Sequence, residues 1–223
     1  MCGIAGYSVA PGGHLFSLDA AVEAMRHRGP DSNGVFYKED HGLGLAHTRL
    51  SIQDLSSLGN QPMLSEDKST VIVFNGEIYN FHELRKDFER SGHRFNGNSD
   101  TEVLLRLYQE EGPEMLRRLN GIFAIAIWDQ KNKSLFVARD ALGVKPFYFV
   151  AEDGLFAFAS EVKALASIYP NLRSMDCDSL QRYIAFLWCP GEGTPSRSIR
   201  KLVPGRAMVV QNGEIRRSWN WYQ

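Results

Sequence analysis

The chain has 223 residues, 43% of them hydrophobic, and carries 25 Lys and Arg against 26 Asp and Glu. That composition suits one large or two small domains with a sizeable core, and the even charge balance argues against a nucleic-acid or membrane surface. No apolar run approaches the ~20 residues of a bilayer-spanning helix, the start lacks the regions of a secretion signal, and Cys2, Cys177 and Cys189 show neither disulfide nor zinc spacing, which makes a reduced, cytoplasmic setting without a bound metal the expectation.

The chain opens Met1-Cys2-Gly3, and residues 4–9 read as a strand that would tether the terminus. Residues 17–26 read as a helix capped by Ser17, with Leu18, Ala21 and Met25 on one face. Arg26-His27-Arg28-Gly29-Pro30-Asp31 stops it in a loop. Strands are expected at 43–48 and 70–75. A helix over 81–91 has Asn80 and Glu83 at capping-box spacing, and Gly92 at its end. A second helix over 100–111 has the same spacing in Ser99 and Glu102, and Gly112-Pro113 ends it.

Residues 121–128, Gly-Ile-Phe-Ala-Ile-Ala-Ile-Trp, are apolar on both alternating faces, so this strand should be covered on both sides. A polar turn at 129–133 leads to a return strand at 134–139. Strands at 146–150 and 155–159 flank Glu152-Asp153-Gly154, a helix follows near 179–188, and Asn212-Gly213 marks a hairpin. Consecutive hairpins with interspersed helices predict largely antiparallel sheets.

Five places carry candidate chemistry. If Met1 is removed, Cys2 holds a thiol and a free α-amine on one residue, a nucleophile with its own base; the alternative is a small buried hydrophobe. Arg49 could be a solvated surface residue or a bidentate clamp for a carboxylate. Asn75-Gly76 after a strand could be a turn, or two donors to one oxyanion. Asp100 could simply favour the start of its helix, or pair with an ammonium. Arg139-Asp140 reads as a structural ion pair in a hairpin, with a direct part in the chemistry as the alternative. Cys177 and Cys189 read as structural or incidental thiols.

Together, Cys2-Gly3-Ile4, Arg26–Asp31, Arg49–Ile52, Asn75-Gly76-Glu77-Ile78-Tyr79-Asn80, Ser99-Asp100 and Arg139-Asp140 with Gly143 and Lys145-Pro146 resemble the glutaminase domain of class II glutamine amidotransferases, specifically that of glutamine-hydrolysing asparagine synthetases. The resemblance implies one domain over residues 2–223 with an α+β N-terminal-nucleophile hydrolase fold, a four-layer αββα sandwich of two antiparallel sheets. It implies Cys2 as nucleophile, Asn75 and Gly76 as oxyanion hole, Arg49 on the α-carboxylate of glutamine, and Asp100 on its α-ammonium. The backbone of Leu50, Ser51, Ile52 and Gln53 would line the site, and Glu77 would contact the substrate.

The same resemblance implies a covalently linked synthetase domain as partner, with ATP and magnesium belonging to that domain and no cofactor to this one, and it admits a homodimer. The apolar end Trp219–Gln223 suits a junction to such a domain. Residues 174–201 resemble a longer bacterial branch, some of whose members amidate sugars or other carboxylates in surface-polysaccharide pathways. Related glutaminases of amidophosphoribosyl transfer or glucosamine-phosphate synthesis, and a glutamine-binding regulatory module without turnover, are the competing readings.

Overall fold

A computed structural model describes residues 1–169 and 174–222; Gln223, the last residue of the apolar end, lies outside them. In chain order the first half forms β1 (Gly3–Val9), α1 (Asp19–Met25), β2 (Ser32–Lys38), β3 (Leu43–Arg49), β4 (Met63–Leu64), β5 (Thr70–Ile78), α2 (Phe81–Arg90) and α3 (Asp100–Glu111). The second half forms β6 (Gly121–Asp129), β7 (Ser134–Arg139), β8 (Tyr148–Glu152), β9 (Leu155–Ala159), α4 (Val162–Ile168), α5 (Cys177–Phe186), β10 (Arg200–Lys201), β11 (Arg206–Gln211) and β12 (Glu214–Asn220). The strands make two six-stranded sheets, ordered β10-β8-β9-β1-β3-β2 and β12-β11-β7-β6-β5-β4, in which the named pairs are antiparallel.

Three apolar layers hold the sheets and helices together. Between the sheets, Val71 and Val73 of β5 and Ala124, Ala126 and Trp128 of β6 meet Ile4, Leu43, Leu45 and Phe156 and Phe158 of the first sheet. Small alanines on the inner face of β6 leave room for the aromatic rings opposite, and Phe147 stacks on Phe158 at 5.1 Å. On the outer face of the second sheet, Ile72, Phe74, Phe123, Ile125 and Ile127 pack under Leu84 and Phe88 of α2 and Leu104 and Leu107 of α3. On the outer face of the first sheet, Ala5, Tyr7 and Ala157 pack under Ala21 and Met25 of α1 and Leu165 of α4. The order helix, sheet, sheet, helix is the expected αββα arrangement. β6 is covered on both faces, as its pattern of apolar residues requires.

Several local details differ from the sequence reading. α1 starts at Asp19, although Leu18, Ala21 and Met25 are its buried face as expected. The Asn80–Glu83 capping box does not form, because tertiary partners take the Asn80 side chain: its Nδ2 donates to Arg118 O at 2.8 Å and its Oδ1 accepts from Asn120 N. Ser99 does cap α3 by accepting from Glu102 N, but the Glu102 carboxylate reaches back to Asn96 N and Gly97 N instead of Ser99. β8 begins at Tyr148, two residues late, and α5 at Cys177, two residues early. β2 and α4 carried no expectation at all.

Arg139 and Asp140 form no ion pair with each other among the described residues. Each clamps the same loop through its backbone. Asp140 is fully buried, and its carboxylate accepts from Phe123 N, Leu142 N, Val144 N and Lys145 N. Arg139 donates to the carbonyls of Gly143, Lys145 and Leu202. Asp140→Ala leaves four backbone donors without that partner, at about 1–3 kcal/mol for each that stays buried and unsatisfied. The expected loss is at least about 3 kcal/mol in urea unfolding, with a smaller loss for Asp140→Asn, which keeps one acceptor oxygen.

Candidate active site

Antiparallel pairing of β1 with β3 puts Gly3 opposite Thr48, so Cys2 emerges beside Arg49 and Leu50. Its Sγ accepts from Leu50 N at 3.4 Å and lies 3.6 Å from Leu50 O. Three further contacts fix the backbone there. Arg28 Nε donates to Cys2 O at 2.9 Å, and Ser160 holds Ile4 by Ile4 N→Ser160 Oγ and Ser160 N→Ile4 O. Arg28 is in turn held by Glu161. Sequence reasoning gave Arg28 no role beyond its motif and did not single out Glu161; only the tertiary contact reveals them.

One cavity gathers nearly all the residues implied by the resemblance: Cys2, Arg49, Leu50, Ile52, Gln53, Asn75, Gly76, Glu77 and Asp100 line it. Ser51 does not line it. Its N–H turns instead to Asp31 Oδ2 at 2.7 Å, which gives the Arg26–Asp31 loop a second anchoring task. Gln61, Thr101 and Lys145 also face the cavity and were not expected there.

The two charged ends of the cavity are held differently. Arg49 is 6% exposed and is fastened to the loop that follows β3: it donates to Ser56 O, Asn60 Oδ1 and Asp54 O. A Cβ on Gly59 would strike the guanidinium, so glycine makes room for it. Three of the five guanidinium N–H groups are thereby used, which leaves two for a ligand. Asp100, 5% exposed, accepts from Ile78 N at 3.1 Å. Burial pushes its carboxyl up to about 7; the Ile78 N–H opposes this and the nearby Glu77 adds to it, with no cation among the causes. Glu77 is tied to Gln53 Nε2 at 2.5 Å.

Asn75 is buried, and its Nδ2 has no partner among the described residues. The Gly76 amide can be placed from the register of β5 on β6. Gly76 lies opposite Phe123, whose N and O both turn away to Asp140. Strand alternation therefore points the Gly76 N–H to the other edge of β5, the cavity side, next to Asn75. Glycine is needed at 76 for packing: a Cβ there would meet Ile122 O and lie 2.8 Å from Phe123 Cα on β6.

The surroundings of the thiol disfavour its ionised form. Burial pushes the Cys2 pKa up, partly offset by the Leu50 N–H, the Met1 ammonium and Arg49, while Glu77 raises it further. A base that takes up its proton would generate the more nucleophilic thiolate. Met1 itself lines the cavity, so its removal would widen the site as well as free the Cys2 nitrogen.

Asp100 gives a pH signature. Its folded pKa of about 7 lies above the ordinary carboxylate range near 4, so the folded chain binds this proton more tightly than the unfolded chain does. Its favourable contribution is complete at low pH and is lost as pH rises to about 7. In the absence of ligand, Asp100→Asn should therefore become more stable than the parent chain as pH rises over that window, with a slope of up to about 1.4 kcal/mol per pH unit, and the difference should level off above it. Chemical denaturation across pH measures this; parallel stability curves for the two chains would count against it.

A family model described as "Glutamine amidotransferase domain" matches residues 1–222. The chain is 38% identical over 221 residues to asparagine synthetase [glutamine-hydrolyzing] 1 of Bacillus subtilis, covering 96% of this chain and 34% of that protein. It is 33% identical over 243 residues to the putative asparagine synthetase [glutamine-hydrolyzing] 2 of Methanocaldococcus jannaschii, covering 99% of this chain and 46% of the relative. The chain thus spans between a third and a half of the length of these two relatives. Among solved structures, the glutamine phosphoribosylpyrophosphate amidotransferase of B. subtilis shares the fold, with a TM-score of 0.72 at 18% identity over 99% of this chain and 49% of that one. On this footing, and with the αββα sandwich and the cavity at Cys2 in view, the chain belongs to the glutamine amidotransferase domain family, in the group related to glutamine-hydrolysing asparagine synthetases.

Proposed function

We propose that this domain hydrolyses glutamine to glutamate and ammonia through a thioester on Cys2, and supplies the ammonia to a synthetase domain of a longer protein. The observation that carries the reading is the convergence in one cavity of the thiol, the two donors at Asn75 and Gly76, and a buried guanidinium and carboxyl at Arg49 and Asp100. Glutamine is a zwitterion. Its α-carboxylate fits the two open donors of Arg49, and its ammonium supplies the cation that the Asp100 carboxylate lacks.

Binding at both ends would place the side-chain amide over Cys2. The free α-amine takes the thiol proton as Sγ bonds to the amide carbon, and the negative charge moves to the amide oxygen. Asn75 Nδ2 and Gly76 N–H stabilise that oxygen. The amine returns the proton to the departing nitrogen and ammonia leaves. Water, deprotonated by the same amine, then attacks the thioester carbonyl; the C–S bond breaks, and glutamate and the thiol are released. The names of the relatives favour aspartate as the ammonia acceptor of the longer protein.

Intact mass spectrometry of the active protein should show a chain short by its first methionine, and Cys2→Ala should reduce glutamine hydrolysis to background. Glutamate release by the alanine variant, or full activity with Met1 attached, overturns the mechanism. Asn75→Ala should lower kcat by about 10²–10³ with little change in KM, because the donor acts on charge that exists only in the transition state. Steady-state kinetics separates this from a binding role, in which KM alone would rise.

A further inference from the structure

β5 loses its second neighbour after Ile72, its third residue. β4 pairs with it only at Val71 and Ile72, and beyond that one edge has no strand beside it. Backbone N–H groups on that edge belong to alternate residues, Phe74, Gly76 and Ile78. The first is received by Gln61 Oε1 at 2.6 Å and the third by Asp100 Oδ2 at 3.1 Å. The Gly76 N–H between them has no protein acceptor among the described residues. On the same edge the Phe74 carbonyl accepts from His47 Nε2 at 3.1 Å.

Gln61 is 7% exposed, and both ends of its amide are used. Its Nε2 donates to Thr101 Oγ1 at 3.2 Å, one residue from Asp100 on α3. Its neighbour Asn60 accepts from Arg49. We infer that Gln61 is a positioning residue for the oxyanion hole: its amide pins the free edge of β5 to α3 and so fixes where Asn75 Nδ2 and the Gly76 N–H point. This rests on the functional reading above, but it assigns to Gln61 a task that the reading does not need.

The physical case is one of geometry. An oxyanion donor stabilises the transition state only if it is already in place, and a misplacement of about 1 Å costs about 10²-fold in rate. Hydrogen bonds from β6 hold only the far edge of β5 at Asn75, so the near edge depends on side chains. His47 is fully buried, and burial pushes its pKa down to about 3, so it stays a neutral donor to Phe74 O. Gln61 is the matching acceptor for Phe74 N–H. Without it, a bare N–H would draw water into the edge beside Gly76.

Gln61→Met keeps the volume and removes both hydrogen bonds. In the intact protein carrying this domain, kcat for glutamine hydrolysis should fall by about 10- to 100-fold. KM and inhibition by the product glutamate, which read Arg49 and Asp100, should stay within about threefold. Hydrogen-exchange mass spectrometry should show faster exchange in peptides covering residues 70–78. Should Gln61→Met not fold, Gln61→Asn carries the test: it keeps a polar amide but is one methylene too short to hold Phe74 N–H and Thr101 Oγ1 together, so kcat should again fall by about tenfold or more with KM held. A kcat within threefold of the parent in a folded variant, or KM and glutamate inhibition moving in step with kcat, overturns the assignment. A parent protein without glutaminase activity overturns the functional reading instead, and unchanged exchange over 70–78 then overturns the role of Gln61 by itself.

Discussion

A backbone N–H that has lost its strand partner must find another acceptor or be left bare, and the site in this domain is built on that requirement. β5 is fully paired on its β6 side, and its other edge runs open from Phe74. Two of the three amides on that edge are claimed by side chains from distant parts of the chain, Gln61 and Asp100. The amide between them is left facing a cavity. An orphaned donor is ordinarily a cost to the fold; here it lies beside the unpartnered Asn75 amide, so that two open donors border one cavity.

The cavity is also costly electrostatically. Arg49 and Asp100 are both nearly buried, yet they are bound to backbone and amide groups and not to each other. A buried carboxylate without a cation is expelled from its charged form, as the raised pKa of Asp100 shows. Three apolar layers around two sheets provide the surplus stability that tolerates this. Asn60 accepts from Arg49, Gln61 from Phe74 N–H, and Asp140 from Phe123 N–H and the loop that ends at Lys145, so Arg49, Phe74 and Lys145, which border the cavity, are each tied to a neighbour.

Much of this was legible in the residues themselves. The hairpins followed from apolar runs broken by turn residues, and the two-faced cover of β6 from its unbroken apolar pattern, because such a run has no solvent face. The Ser99 cap was readable since capping is local, spanning three residues. β2 was not, because its edge position exposes Val35 and Tyr37 and opens with Ser-Asn-Gly, which reads as turn. α4 has seven residues and no side-chain cap, so it offers no start signal. Asn80 has the right spacing for a cap but is taken by Arg118 and Asn120, and the local rule yields to a tertiary contact.

The sequence alone determined which chemical groups this domain owns: a cysteine beside the terminus, an Asn-Gly pair, one arginine and one aspartate at helix and strand ends. Local rules and family motifs operate on neighbours in the chain, and these features are all short. Only the tertiary structure decided which of those groups meet and what restrains them. Arg28 on Cys2, Asp31 on Ser51 and Gln61 on Phe74 join residues 13 to 26 positions apart, and Asp140 turned out to hold a loop and not its neighbouring arginine. Such contacts leave no periodicity or spacing to read, because they are fixed by how two sheets and their open edge come to lie in space.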